Sequence, residues 1–130
     1  MKQIGLFFGA CVLAAFVVSA LAADGSAKKG PLRHVVSFKF KETATPAQIQ
    51  KVVDDFRDLK IKIPTIVSFE CGTNVSPEKL NQGFTHCFVL TFKSEKNRDA
   101  YLVHPAHQAF GQSLGPVLAD VLVIDFQAQK

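Results

Sequence analysis

Tryptophan is absent from the 130 residues, and there is one tyrosine, one methionine and three cysteines. Three cysteines cannot carry the multiple staples of a small disulfide scaffold. Glycine and proline number 8 and 6, too few for a collagen-like or linker-like chain. Charged residues are only 20% of the chain, and Lys28-Lys29 is its one adjacent basic pair, so the net charge of +4 forms no stripe fit for a nucleic acid. No internal repeat or low-complexity tract is present. In contrast, 12 phenylalanines and 48% hydrophobic residues are enough for one packed core. A chain this short makes one domain.

The N-terminus has its own pattern. Met1-Lys2-Gln3 is followed by an apolar run from Ile4 and then by Ala20-Leu21-Ala22, the small-x-small signature of a signal-peptidase site. Residues 1–22 read as a signal peptide, 23–30 as a flexible mature N-terminus, and export to the periplasm or medium follows. The competing reading is an uncleaved anchor, because Ile4 to Ala23 is nearly long enough to cross a bilayer and Lys28-Lys29 flank it. On the cleaved reading no stable membrane anchor remains, about 108 residues persist, and Cys11 leaves with the leader. Cys71 and Cys87 then end one predicted strand and open the next. They invite pairing in an oxidising compartment, but a cross-strand separation slightly longer than a disulfide prefers favours free thiols.

Along the remainder, punctuation separates the elements. Leu32 to Lys41 alternates, with His34, Val36, Phe38 and Phe40 on one face and Val35 and Ser37 on the other. Thr45-Pro46-Ala47-Gln48 is a capping box with proline at the first helical position, and Ile49, Val52, Val53, Phe56 and Leu59 follow at helical spacing. Ile66 to Cys71 predicts a second strand and Phe84 to Phe92 a third, with Phe84, His86, Phe88, Leu90 and Phe92 sharing a face. Ser94 caps a short helix to Val103, Pro105 interrupts it, a further helical piece ends at Gly115-Pro116, and Val121 to Phe126 predicts a last strand. The order β-α-β-β-α-β is ferredoxin-like, an α+β fold with a four-stranded antiparallel sheet and its helices on one face. The other face, with Val35, Val89 and Cys87 beside Ser37, Thr85 and Thr91, is half apolar and is expected to meet a second copy in a homodimer.

Chemistry has few places to reside. His34 and His86 fall on the helix-covered parity of their strands, where a buried imidazole needs a partner or a cavity. In Tyr101-Leu102-Val103-His104-Pro105-Ala106-His107 two histidines flank a helix break and the tyrosine lies one turn ahead. His104 and His107 have no third ligand at metal spacing and Pro105 disturbs their turn, so no metal is expected. Nothing in the chain calls for a cofactor.

Leu32 to Lys41, Asn74-Val75-Ser76-Pro77-Glu78, Gly83-Phe84-Thr85-His86, Ala100 to His107 and Asp120 to Phe126 together resemble the stress-responsive dimeric α/β-barrel (Dabb) domain across residues 31–127. The resemblance implies back-to-back sheets in a dimer. The family includes plant stress proteins, bacterial proteins of unknown role and a plant polyketide cyclase that works by an aldol reaction. Carried over by motif, the resemblance implies His107 as general base and Tyr101 as hydrogen-bond donor, with His34 and His86 near the pocket. Phe56, Val52 and Val53 depart from that cyclase's first helix, which has a tyrosine and bulkier aromatics. The first expectation is therefore an exported protein that binds a small, partly apolar carbonyl ligand through His34, His86, His104, Phe38, Phe88 and Leu90; the alternative is a cyclase- or lyase-type enzyme with His107 and Tyr101 as its catalytic groups.

Overall fold

The computed structural model describes residues 29–129. The signal-peptide and anchor readings of residues 1–22, and most of the segment 23–30, lie outside them. Four strands form one antiparallel sheet: β1 (Leu32–Phe40), β2 (Ser68–Thr73), β3 (His86–Phe92) and β4 (Leu118–Gln127), in the order β2-β3-β1-β4. Helices α1 (Pro46–Lys62), α2 (Glu95–Leu102) and α3 (Pro105–Ser113) complete the ferredoxin-like fold.

Local chemistry starts each element. At α1, Thr45 Oγ1 accepts from Gln48 N at 3.3 Å while Gln48 Oε1 accepts from Thr45 N at 2.8 Å, and Pro46 supplies a preset first turn. The helix buries Val52, Phe56 and Leu59 against the sheet. Phe56 is the hub, with its ring centroid 5.8 Å from Phe38, 4.6 Å from Phe88 and 4.7 Å from Phe110.

Alternation along β1 is nearly complete, with Leu32, His34, Val36 and Phe38 buried and the residues between them partly exposed. All four strands differ at a boundary from the sequence expectation, β1 only by ending at Phe40 and not Lys41. The third strand starts at His86 and not Phe84, because Gln82 and Gly83 take positive φ and close a turn. Gly83 is required there: at φ 86° a Cβ would meet the Lys39 side chain at 2.8 Å. Thr85 still bonds the sheet, through its N–H to Phe38 O at 3.0 Å, which explains why its alternation looked strand-like. The second strand runs two residues later than expected, Ser68–Thr73, and the fourth is longer, Leu118–Gln127.

The cysteines sit one register step apart, Gly72 opposite Cys87 and Cys71 opposite Phe88, so their side chains leave opposite faces of the sheet. Both are free and exposed. Among the described residues, no helix is long and apolar enough to cross a membrane.

Candidate functional site

β4 runs directly beside β1, and its inward parity, Val121, Val123 and Asp125, faces Phe38, Val36 and His34 in register. Between this strip and the helices lies an apolar cavity of about 200 Å³, lined by His34, Val36, Phe38, Phe56, Tyr101, Leu102, His107, Phe110, Gly111, Leu114, Val121 and Val123.

Three hydrogen-bonding side chains enter it from three elements. Tyr101, near the end of α2, is 1% exposed, and its hydroxyl has no hydrogen-bond partner among the described residues. Burial, reinforced by the charge of Asp125, pushes its phenol well above the usual range, so it stays protonated and donates. Pro105 breaks the helix after Tyr101, with His104 as N-cap of α3, and this bend returns His107 over the Tyr101 ring at a centroid distance of 4.3 Å. His107 Nδ1–H donates to Leu102 O at 3.1 Å, so Nε2 is its acceptor nitrogen in the neutral ring. Burial holds the His107 pKa below the ordinary histidine value against the opposing Leu102 carbonyl, and His34 pushes it down further.

His34 comes from β1, 4% exposed, with its ring 5.5 Å from that of Tyr101. Its Nδ1–H donates to Asp125 Oδ1 at 2.6 Å, so in the neutral ring Nε2 is the acceptor nitrogen. Asp125 Oδ2 pairs with Arg98 of α2. Both imidazoles thus present an acceptor nitrogen beside one phenol donor, inside a mostly apolar wall. That combination suits binding of a carbonyl oxygen and movement of a proton at a neighbouring atom.

Of the residues expected at the site, His107, Tyr101, His34 and Phe38 meet at this cavity. Phe88 and Leu90 do not line it: both are 0% exposed in the core. His86 stands opposite Phe38, four positions along β1 from His34 and about 13 Å away at the strand rise. Its ring packs edge-on against Phe40 at 5.0 Å, shares a 2.9 Å hydrogen bond with the Thr85 hydroxyl, and borders a different cavity. His104 Nδ1 accepts from Ala106 N at 3.1 Å and serves as a helix cap. Asp125 and Arg98 were not singled out from the sequence. The available signal was a carboxylate on the inward parity of the last strand, which gains meaning only once β4 lies beside β1. Among the described residues no group of three or more His, Cys, Asp or Glu side chains is placed to hold a metal ion.

An antiparallel ferredoxin-like sheet with this histidine and tyrosine constellation on its helical side defines a narrow class. Residues 32–128 match the Stress responsive A/B Barrel Domain, Dabb, and the chain belongs to that family. It is 37% identical over 99 residues to the stress-response A/B barrel domain-containing protein HS1 of Arabidopsis thaliana, covering 76% of this chain and 91% of that one. It is 28% identical over 99 residues to olivetolic acid cyclase of Cannabis sativa, covering 76% and 98%. A crystal structure described as a dimeric ferredoxin-like protein of unknown function, from Thermobifida fusca, superposes with a TM-score of 0.66 at 26% identity, covering 78% and 93%.

Proposed function

We propose that this protein binds a small, partly apolar carbonyl compound in the cavity between β1, β4, α2 and α3 and transfers a proton there, as a lyase or cyclase does in aldol-type chemistry. The observation that carries the reading is the unpartnered Tyr101 hydroxyl in a residue 1% exposed, flanked by two imidazoles whose Nδ1–H groups are already engaged. The hydroxyl is not among the fully buried side-chain atoms left without a partner, of which Thr65 Oγ1 is the one among the described residues; it opens on the cavity, where a ligand oxygen can accept from it. Tyr101 donates to the carbonyl oxygen, and the charge that develops on that oxygen strengthens the bond. His107, kept neutral by burial, takes the proton from the adjacent carbon. His34 stands across the phenol, oriented by Asp125. The similarity to olivetolic acid cyclase supports a cyclase-like role.

The functional unit in this reading is a homodimer built through the uncovered sheet face, and residues 1–22 direct export before removal. The dimeric description of the Thermobifida fusca neighbour supports the first, and the leader pattern of the sequence supports the second. Intact mass of the secreted protein tests the leader: a start near Ala23 agrees, and full-length chain in the membrane contradicts.

The test of chemistry is exchange of the α-hydrogens of phenylacetone in deuterated water, followed by proton NMR. Exchange above buffer that falls at least a hundredfold in His107→Ala supports proton transfer. Saturable binding of phenylacetone without exchange leaves a ligand-binding protein in its place.

A further inference from the structure

One cation, Arg98, stands behind this cavity without lining it. Arg98 lies one turn before Tyr101 on α2, with its side chain 19% exposed, and pairs with Asp125 Oδ2. Its Nε donates to Asp99 Oδ1 at 2.8 Å. The other oxygen of Asp125, Oδ1, receives His34 Nδ1–H. The carboxylate is thus divided between a guanidinium on one helix and an imidazole on a central strand.

Asp125 needs such a second tether. It stands on an edge strand whose neighbours Ile124 and Phe126 are 53% and 50% exposed, and a carboxylate held by one bond there has solvent-facing rotamers open to it. On its outer side a polar groove of about 430 Å³ runs past Glu95, Arg98, Asp125 and Gln127. The Arg98–Asp125 pair therefore partitions water in that groove from His34 and the cavity behind it. Because Arg98 and Tyr101 share α2, the pair also references the His34 ring to the same element that carries the phenol.

We propose that Arg98 is a positioning residue of the cavity: by occupying Asp125 Oδ2 it fixes that carboxylate, and through it the His34 tautomer whose Nε2 is the free acceptor. The proposal deepens, and for its effect on turnover rests on, the proton-transfer reading above. The physical cause is geometric. A guanidinium offers a planar set of donors that can hold Asp99 and Asp125 together, whereas an ammonium is a point charge that cannot fix both directions. Without it, Asp125 no longer obliges His34 to carry its proton on Nδ1.

The test is long-range proton–nitrogen correlation NMR on the 15N-labelled protein near neutral pH, reading His34 directly. The wild type is expected to show a protonated Nδ1 and an unprotonated Nε2. Arg98→Met is expected to give a tautomer mixture at His34, and Arg98→Lys an intermediate population. Arg57→Met, which removes an exposed guanidinium from α1, leaves the wild-type pattern. Arg98→Gln is read in the same way if the methionine variant does not fold. A His34 tautomer unchanged in every folded Arg98 variant overturns the proposal, even in an active protein. In the phenylacetone assay, Arg98→Met is expected to lower kcat about 10- to 100-fold with little change in KM. A wild type that shows no exchange while Arg98 still sets the tautomer defeats the proton-transfer reading and leaves the positioning role intact.

Discussion

Compared across the sheet, the outer cavity is larger than the inner one and has less chemistry. The outer cavity, about 610 Å³, sits under the loop between β2 and β3 and is bordered by Ser37, Thr73, Asn74, Leu80, Thr85, His86, Cys87 and Leu122. It offers hydroxyls, amides and apolar surface. No carboxylate orients its histidine, which spends Nδ1 on a neighbouring threonine. The inner cavity is a third of that volume, yet it gathers a buried phenol and two imidazoles whose Nδ1 atoms are hydrogen-bonded, one of them backed by a carboxylate–guanidinium pair outside the lining. Position explains the difference. Ser37, Cys87 and Leu122 belong to the sheet face that no helix covers, which also exposes Ile124 and Phe126, whereas the inner cavity is closed by the protein's own helices. Volume there belongs to the uncovered sheet face; convergence of hydrogen-bonding groups is the reason the inner cavity is the one proposed as the site.

The strongest way to break that contrast is to remove the imidazole proposed as the base. His107→Ala is expected to lower phenylacetone exchange about 10² to 10⁴-fold with the fold preserved, and Tyr101→Phe by a smaller factor, since only a hydroxyl is lost. Thermal melting alongside the kinetics separates chemistry from stability. Retained activity in His107→Ala would move the site elsewhere.

Next is the outer face. Ile124→Lys places an ammonium amid Val35, Val89, Leu122 and Phe126, where a dimer would bury it unpaired. Dissociation at micromolar concentration by light scattering is expected. A wild type already monomeric under those conditions contradicts the dimer.

Filling the inner cavity is subtler. Gly111 lines its rim, and a Cβ there meets nothing within 4 Å. Gly111→Leu is expected to raise stability by up to about 1 kcal/mol, through helix propensity, while weakening phenylacetone binding about tenfold or more. Calorimetry reads both. Unchanged binding would place the ligand outside this cavity.

Acid offers a smaller test. The folded-state pKa of both His107 and His86 lies below the ordinary histidine value, in each case first through burial. Between that lowered value and the unfolded value near 6.5, the unfolded chain binds more protons, so stability is full above about pH 6.5 and falls as pH drops through the window. Urea unfolding at a series of pH values checks the sign, and His107→Ala should flatten part of the slope. The smallest effect belongs to His86→Ala, expected to leave phenylacetone exchange unchanged.

Much of this was legible in the chain. The parity of Leu32 to Phe40, the Thr45–Gln48 capping box and the break at Pro105 are local patterns, and each forms as local physics dictates. The meeting of Tyr101 with His107 is local too, since the bend at Pro105 lies between them. What the sequence left hidden is long-range. Asp125 faces His34 across 91 positions, and nothing near Asp125 distinguishes it from a solvated carboxylate until β4 is laid beside β1. The distance between His86 and His34 was not hidden in this way, since antiparallel pairing of β1 with β3 sends the two histidines toward opposite ends although both share the inward parity. The β2–β3 register places Cys71 and Cys87 on opposite faces, where a hairpin read from sequence could set them opposite one another. The outer hydrophobics Leu122, Ile124 and Phe126 were hidden because a strand apolar on both parities does not say which face a helix will cover.

The central claim, that the inner cavity holds the ligand and its reacting groups, is tested most directly by a crystal structure of the protein with phenylacetone bound. The ketone oxygen is expected within about 2.6–3.2 Å of the Tyr101 hydroxyl, with His107 Nε2 beside the α-carbon. Phenylacetone seated beside His86 in the outer cavity, with the inner one empty, would contradict it.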